Sequence, residues 1–227
     1  DVRRVFRARV AAIAPLFASC EPLAEAFPDA DRAFDIARAE SFVAGFADTY
    51  RDAPHTLGPN VRANVEMAAS ITLADRAWAH LEQTRIARRF RNAFERFDLV
   101  LSPVTPVTPF PWTELYAGVV EGRAMANYYQ WLALTYVVTL ATNPALSLPS
   151  GLDERGMPFG LQVIGRLRGD AALLSAALAL EQALAARPGL GRPTPDVSAL
   201  RAPRPELKSI VTHPPGRGCA AATSQEE

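Results

Sequence analysis

The sequence predicts an α/β fold, and three kinds of observation carry that prediction. Long stretches place apolar residues at three- and four-residue steps, short wholly apolar runs are bounded by proline or glycine, and one helical pattern feeds directly into such a run. Of the 227 residues, 49% are hydrophobic and 21% charged, enough to bury a substantial core in one domain or two small ones.

Residues Asp1 to Phe17 read as a helix with Val2, Val5, Phe6, Val10, Ile13 and Phe17 on one stripe; Pro15 predicts an early end or a kink. Asp31 to Tyr50 is a second helical pattern, carrying Phe34, Ile36, Phe42, Phe46 and Tyr50, and Pro54, Gly58 and Pro59 then mark a turn. Thr72 with Asp75 forms a capping box that opens a third helix, whose stripe is Ile86, Phe90, Ala93, Phe94 and Phe97. Leu99-Val100-Leu101 follows as a short buried strand.

Pro103, Pro106, Pro109 and Pro111 end that strand and hold the next residues extended, because each proline fixes its own φ and biases its predecessor away from helix. Such a stiff loop can line a pocket. Arg123 to Leu140 reads as helix, Ala145 to Leu148 and Phe159 to Ile164 as strands, and Asp170 as the cap of a leucine-rich helix running to about Ala186. From Arg187 onward Pro, Gly and scattered charge replace any periodic pattern, so residues 187–227 are expected to form a disordered tail on a domain spanning 1–186.

Formal net charge is zero, so nothing global recruits nucleic acid or an anionic membrane. Arg85, Arg88, Arg89, Arg91 and Arg96 make one helix locally basic, but Glu82 and Glu95 interleave and a solvated face is the simpler reading; nucleic acid is disfavoured as a partner. Cys20 and Cys219 lie far apart with no CxxC pattern, which points to neither a zinc site nor a disulfide framework and fits a reducing cytoplasm. No metal or other cofactor is expected. The apolar run from Trp131 to Ala141 is too short and too hydroxylated to span a membrane, and none is expected as a partner.

A hydrolytic site built on histidine has only His55, His80 and His213 to draw on, each in a loop, tail or amphipathic setting that reads as solvated, and no GxSxG elbow is present. Candidate pocket residues are Thr105, Thr108 and Trp112 in the proline-rich loop and Tyr128, Tyr129 and Trp131 after it, since substrate pockets are mostly apolar with a few placed hydroxyls. The competing reading makes the aromatics plain core. Gln162, inside an apolar strand, must find partners for its amide; it either braces the site loops or bonds neighbouring backbone. Gly160 and Gly165 read as positions of close backbone approach.

Three segments, taken together, resemble the C-terminal part of the amidase signature family: Phe97-Asp98-Leu99-Val100-Leu101-Ser102-Pro103 with Thr105-Pro106; Pro144-Ala145-Leu146-Ser147-Leu148-Pro149-Ser150-Gly151; and Gly156-Met157-Pro158-Phe159-Gly160-Leu161-Gln162-Val163-Ile164-Gly165 followed by Asp170. The resemblance is best over residues 72–186 and implies a mixed β-sheet covered by α-helices. It also implies an amide hydrolase acting on a small-molecule amide through a serine nucleophile, a second serine with a cis peptide bond and a relaying lysine. Those residues come from a Gly/Ser-rich signature in the family's N-terminal half, which has no counterpart here. The one lysine, Lys208, follows the last matched motif, so the resemblance carries no catalytic residue onto this chain.

The chain begins at Asp1 and not at Met, and its natural start is expected upstream, with the missing N-terminal half as partner and the chain alone inactive. Two local departures accompany the match. Thr142 stands where the family usually has glycine before the Pro-Ala pair, and Gln130 stands where some members carry an acid. Two other readings stay open: a truncated non-catalytic scaffold that binds a partner through a bare apolar face, and a chain like the family's member of a tRNA-dependent amidotransferase complex. A homo-oligomer is compatible with the scaffold reading.

Overall fold

The structure is a computed structural model and describes residues 1–203. Helices α1 (Val2–Ile13), α2 (Ala30–Asp52), α3 (Pro59–Met67) and α4 (Leu73–Ala93) precede strand β1 (Val100–Pro103), and a small hairpin β2 (Val119–Val120) and β3 (Arg123–Ala124) leads to helix α5 (Ala133–Ala141). Strands β4 (Ala145–Leu152) and β5 (Pro158–Ile164), helix α6 (Asp170–Ala185) and the short α7 (Val197–Leu200) complete the order.

The main sheet has strand order β1-β5-β4, and both pairings are antiparallel. The α/β class holds, with helices on both faces; the ladders formed within the described residues are antiparallel ones. Central β5 is buried along most of its length, and its alternation sorts the two cores. Phe159, Leu161 and Val163 pack with Val2, Val5 and Ile13 of α1 and with Leu173, Leu180 and Leu184 of α6. Ile164 faces the other way, with Ala30 and Ala33 of α2, Ile86 and Phe90 of α4, Phe94 just after it, and Val138 and Leu140 of α5.

Local signals explain most boundaries. Helix α1 stops at Ile13 and passes into a tight turn over Ala14–Leu16 at Pro15. The capping box of α4 is complete: Asp75 N–H donates to Thr72 Oγ1 at 3.1 Å, and Thr72 N–H donates to Asp75 Oδ2 at 3.0 Å. On α2 the buried face is Ala30, Ala33, Ile36 and Ala39, while Phe46 is exposed, so the small residues and not the expected phenylalanines set how closely α2 packs.

Two expectations need correction, and one helix was not assigned. Arg123 to Leu140 is not one helix: Glu121 and Gly122 take positive φ and turn the chain into β3, and Asn127 Oδ1 accepts from the N–H groups of Tyr129 and Gln130 at 3.1 and 2.9 Å, which holds a turn where helix was expected. Helix therefore starts at Ala133. The stretch from Pro59 to Met67, to which no element was assigned, is the helix α3, directly after the expected turn; proline at a first helical position has no N–H to lose. Asp170 is the first residue of α6 and Gly169 is its cap, so the carboxylate acts in the first turn, where a negative charge is favourable, and not as the capping side chain.

Beyond α6, residues 187–203 carry turns and the short α7, capped by Asp196. The rest of the expected tail, including Lys208, His213 and Cys219, lies outside the described residues. No helix among the described residues is long and apolar enough to cross a membrane.

Candidate functional site

The strand β1 delivers the chain to the surface, and the proline-rich loop after it bends over the sheet's end. Between this loop, α1 and the Ala14–Leu23 connection lies an open cleft of about 1550 Å³. Phe6, Val10, Phe17 and Leu23 form one side; Leu99, Thr108 and Trp131 form the other. Its rim carries both signs of charge, with Arg3, Arg96 and Arg123 against Glu21, Asp98 and Glu121, so no single-sign field steers a ligand to it.

A second, smaller pocket of about 230 Å³ adjoins the cleft under the same loop. Val2, Val107, Thr108 and Trp131 line both spaces, which makes them the partition. Val104, Phe110 and Phe159 close the smaller pocket, with Thr105 at its wall.

The candidate residues distribute unequally over this geometry. Thr108 and Trp131 line the cleft and the side pocket, and Thr105 lines the side pocket alone, with Oγ1 donating to Val107 O at 2.9 Å. Trp131 is half-buried, its Nε1 donates to Tyr128 O at 3.0 Å, and its ring meets Phe110 edge-on at 5.6 Å. Gln162 is buried behind the cleft wall, and its Nε2 donates to Ser102 Oγ at 2.8 Å and Leu134 O at 2.9 Å, tying β5 to β1 and α5. Trp112 is exposed and Tyr128 faces α2; neither lines the cleft or the side pocket.

Tyr128 belongs instead to a polar cluster that sequence reasoning did not find. Three residues on one face of α2 hold the segment before and within α5. Asp31 Oδ1 accepts from Tyr136 OH at 2.5 Å, Asp35 Oδ1 accepts from Tyr129 OH at 2.6 Å, and Arg38 donates to Tyr128 OH and, at 3.0 Å, to Asn64 Oδ1. Phe34 stacks on Tyr136 with centroids 4.3 Å apart and meets Tyr129 edge-on, while the Arg38 guanidinium lies over the rings of Phe42 and Tyr129. The i, i+4, i+7 spacing on α2 was visible in the sequence; the partners nearly a hundred residues away were not.

Burial and the Asp35 carboxylate raise the Tyr129 phenol well above its ordinary value, and burial with Asp31 does the same to Tyr136. Asp35 itself is raised, chiefly by desolvation and further by Asp31, against the lowering effect of the Tyr129 bond. Both phenols therefore act as fixed hydrogen-bond donors.

The hydroxyls near the cleft are also committed. Ser102 Oγ bonds Pro103 O at 3.0 Å and accepts from Gln162, and the buried Ser150 Oγ reaches Phe159 O at 3.3 Å. His55 and His80 are exposed; His213 is outside the described residues. Gly160 and Gly165 are close-approach sites as expected: a Cβ on Gly160 would sit 3.0 Å from Ser147 Oγ, and one on Gly165 would sit 3.0 Å from Leu173 Cβ. No group of three or more His, Cys, Asp or Glu among the described residues could hold a metal ion.

Three of the five arginines from Arg85 to Arg96 have local work. Arg85 pairs with the buried Glu82 at 3.1 Å, Arg89 donates to Ala26 O at 2.8 Å, and Arg96 reaches Glu21 at 3.1 Å.

Comparison with known proteins places this geometry. The family model described as Amidase matches residues 15–174. A glutamyl-tRNA(Gln) amidotransferase subunit from Prochlorococcus marinus (strain MIT 9211) is 44% identical over 101 residues, which is 44% of this chain and 20% of that protein. Its namesake from Novosphingobium aromaticivorans is 35% identical over 130 residues, 55% of this chain and 25% of its own length. Among solved structures, a bacterial aryl acylamidase of the amidase signature family superposes with a TM-score of 0.69 at 20% identity, covering 82% of this chain and 43% of that one. A crystal structure of an amidase superposes with a TM-score of 0.71 at 24% identity, over 80% of this chain and 41% of that one. The chain thus spans a fifth to a quarter of these curated relatives and about two fifths of these solved ones.

Proposed function

Because this chain belongs to the amidase family, we propose that it forms the C-terminal, substrate-facing part of an enzyme that hydrolyses carbon–nitrogen amide bonds. The observation that carries this reading is the family match over residues 15–174, which includes the β1 loop and α5 that wall the open cleft. The attacking group belongs to an upstream segment that packs against the cleft. By resemblance to the family, a serine there attacks the carbonyl carbon, a lysine relays protons through a second serine, and water then releases the acyl group. This chain's share is to shape and orient: Thr108 and Trp131 contact the substrate at the partition, Thr105 contacts it inside the side pocket, and Gln162 keeps the wall beneath them in register. Trp112 and Tyr128 act outside the pocket, the first at the loop surface and the second through α2.

The test compares the 227-residue chain with the longer protein read from the DNA upstream, on simple aryl amides. Turnover is expected from the longer protein and none from the chain by itself. Turnover by the chain, or an inert longer protein, would overturn the proposal.

A second reading has one specific observation behind it: the curated relatives quoted above are glutamyl-tRNA(Gln) amidotransferase subunits, 35–44% identical to the matched residues. Under it, the longer protein works with further subunits and tRNA. Tight, salt-sensitive tRNA binding would favour this reading; its absence, with free amide hydrolysis, favours the first.

A further inference from the structure

We propose that the 230 Å³ side pocket beneath the proline-rich loop is a specificity pocket that takes one ring-sized apolar group of the substrate. The inference rests on the amide-hydrolase reading for the nature of the ligand, and on geometry for everything else.

Size sets the class of group. A dry cavity of about 150 Å³ suffices for benzene, and whole drug-sized ligands need about 300 Å³ or more. A pocket of about 230 Å³ therefore suits a single substituted ring or a short branched chain, and is far too large to be a packing defect.

Lining sets its polarity. Val104, Val107, Phe110, Trp131, Pro158 and Phe159 supply the wall. The polar groups nearby are mostly engaged. Thr105 Oγ1 donates to Val107 O, and Asp153 Oδ1 accepts the Arg155 and Met157 N–H groups at 2.9 and 2.8 Å. A group that brings its own donors or charge gains little here and loses its water.

Rigidity makes the pocket pre-formed. Prolines at 103, 106, 109 and 111 restrict the loop that roofs it, the edge-on Phe110 and Trp131 rings brace one another, and the Trp131 indole is pinned through Nε1. At the floor, Gly160 lets β5 lie so close that an added Cβ would come 3.1 Å from Val104 Cγ2, so the floor cannot carry a larger residue without moving the roof. Val2, Val107, Thr108 and Trp131 face both spaces, so a molecule in the cleft can pass a substituent across them.

The experiment measures binding to the 227-residue chain by calorimetry, with tryptophan fluorescence in a Trp78→Phe, Trp112→Phe background as a second readout that isolates Trp131. Benzamide should bind saturably and acetamide, which lacks the ring, should not. Val107→Phe should weaken benzamide binding at least tenfold by filling the space. Val107→Ala, a milder change that folds even if the larger one does not, should gain affinity for naphthamide relative to benzamide. No saturable benzamide binding, or equal binding by parent and both variants, would overturn the pocket. In the longer protein the two ideas separate cleanly: turnover with a benzamide-to-acetamide preference unmoved by V107F sinks the pocket and leaves the hydrolase reading. Benzamide binding with the predicted variant effects but no amide turnover does the reverse.

Discussion

Thr142 sits at φ 57°, ψ 24°, in the left-handed region, at the corner where α5 hands over to β4. Glycine adopts that conformation freely, whereas for a β-branched residue it costs about 1–2 kcal/mol. The side chain is exposed and its Oγ1 bonds only the adjacent Ala141 carbonyl, so nothing about packing compensates. Thr142→Gly should therefore raise stability by about 1 kcal/mol, read as a higher urea midpoint at unchanged slope. Gln162 lies at the other extreme. Its amide links three elements, and Gln162→Leu should lower stability by about 1–3 kcal/mol, because Ser102 Oγ loses its donor and a tie between β5 and α5 disappears. A urea midpoint equal to the parent's would show that the amide does no bracing. Both positions were legible in sequence as anomalies, a threonine where glycine is usual and an amide within an apolar strand. Neither anomaly stated its geometry.

At the scale of elements, legibility followed burial. Strands β1, β4 and β5 and helices α1, α2, α4 and α6 each carry an apolar period or run long enough to read. The misses have a common cause in weak or absent apolar pattern. Helix α3 buries only Asn64, and the hairpin strands are two residues each with exposed or half-buried side chains. The α2 clamp was hidden for another reason: its members face each other only after α2 and α5 pack, and charged residues on a helix ordinarily read as a solvated stripe.

The clamp makes a pH prediction whose sign follows from desolvation. The Asp35 carboxyl is raised in the folded state, so its contribution is fully present below its ordinary value and is lost as pH rises through the higher folded one. Asp35→Asn keeps an acceptor for Tyr129 and removes the charge. The stability of the variant relative to the parent should then increase between about pH 4 and about pH 7, measured by urea unfolding at each pH. Parallel pH profiles for the two proteins would show that the Tyr129 bond fully offsets burial.

At the scale of the whole molecule, the two faces of the sheet are not treated alike. Helices α1 and α6 cover one face and α2, α4 and α5 the other, yet the cleft between α1 and the β1 loop stays open at about 1550 Å³ with Phe6, Val10, Phe17 and Leu23 along it. An apolar concavity of that size on a single folded chain calls for a partner or a ligand, because surfaces of this kind are uncommon unless something binds them. Strand β1, at the sheet's edge among the described residues, lies beside it and within them has no strand partner on its free side. The proposed upstream segment satisfies both requirements at once, covering the apolar side chains and pairing with the strand. Two measurements follow from that pairing. The 227-residue chain should bind the apolar dye ANS with strong fluorescence enhancement, and the longer protein should show little. The β1 amide hydrogens that point away from β5 should also exchange more slowly in the longer protein, since an added strand would engage the free edge. If dye binding and exchange are the same with and without the upstream segment, then that segment folds elsewhere and the cleft is open to a different occupant.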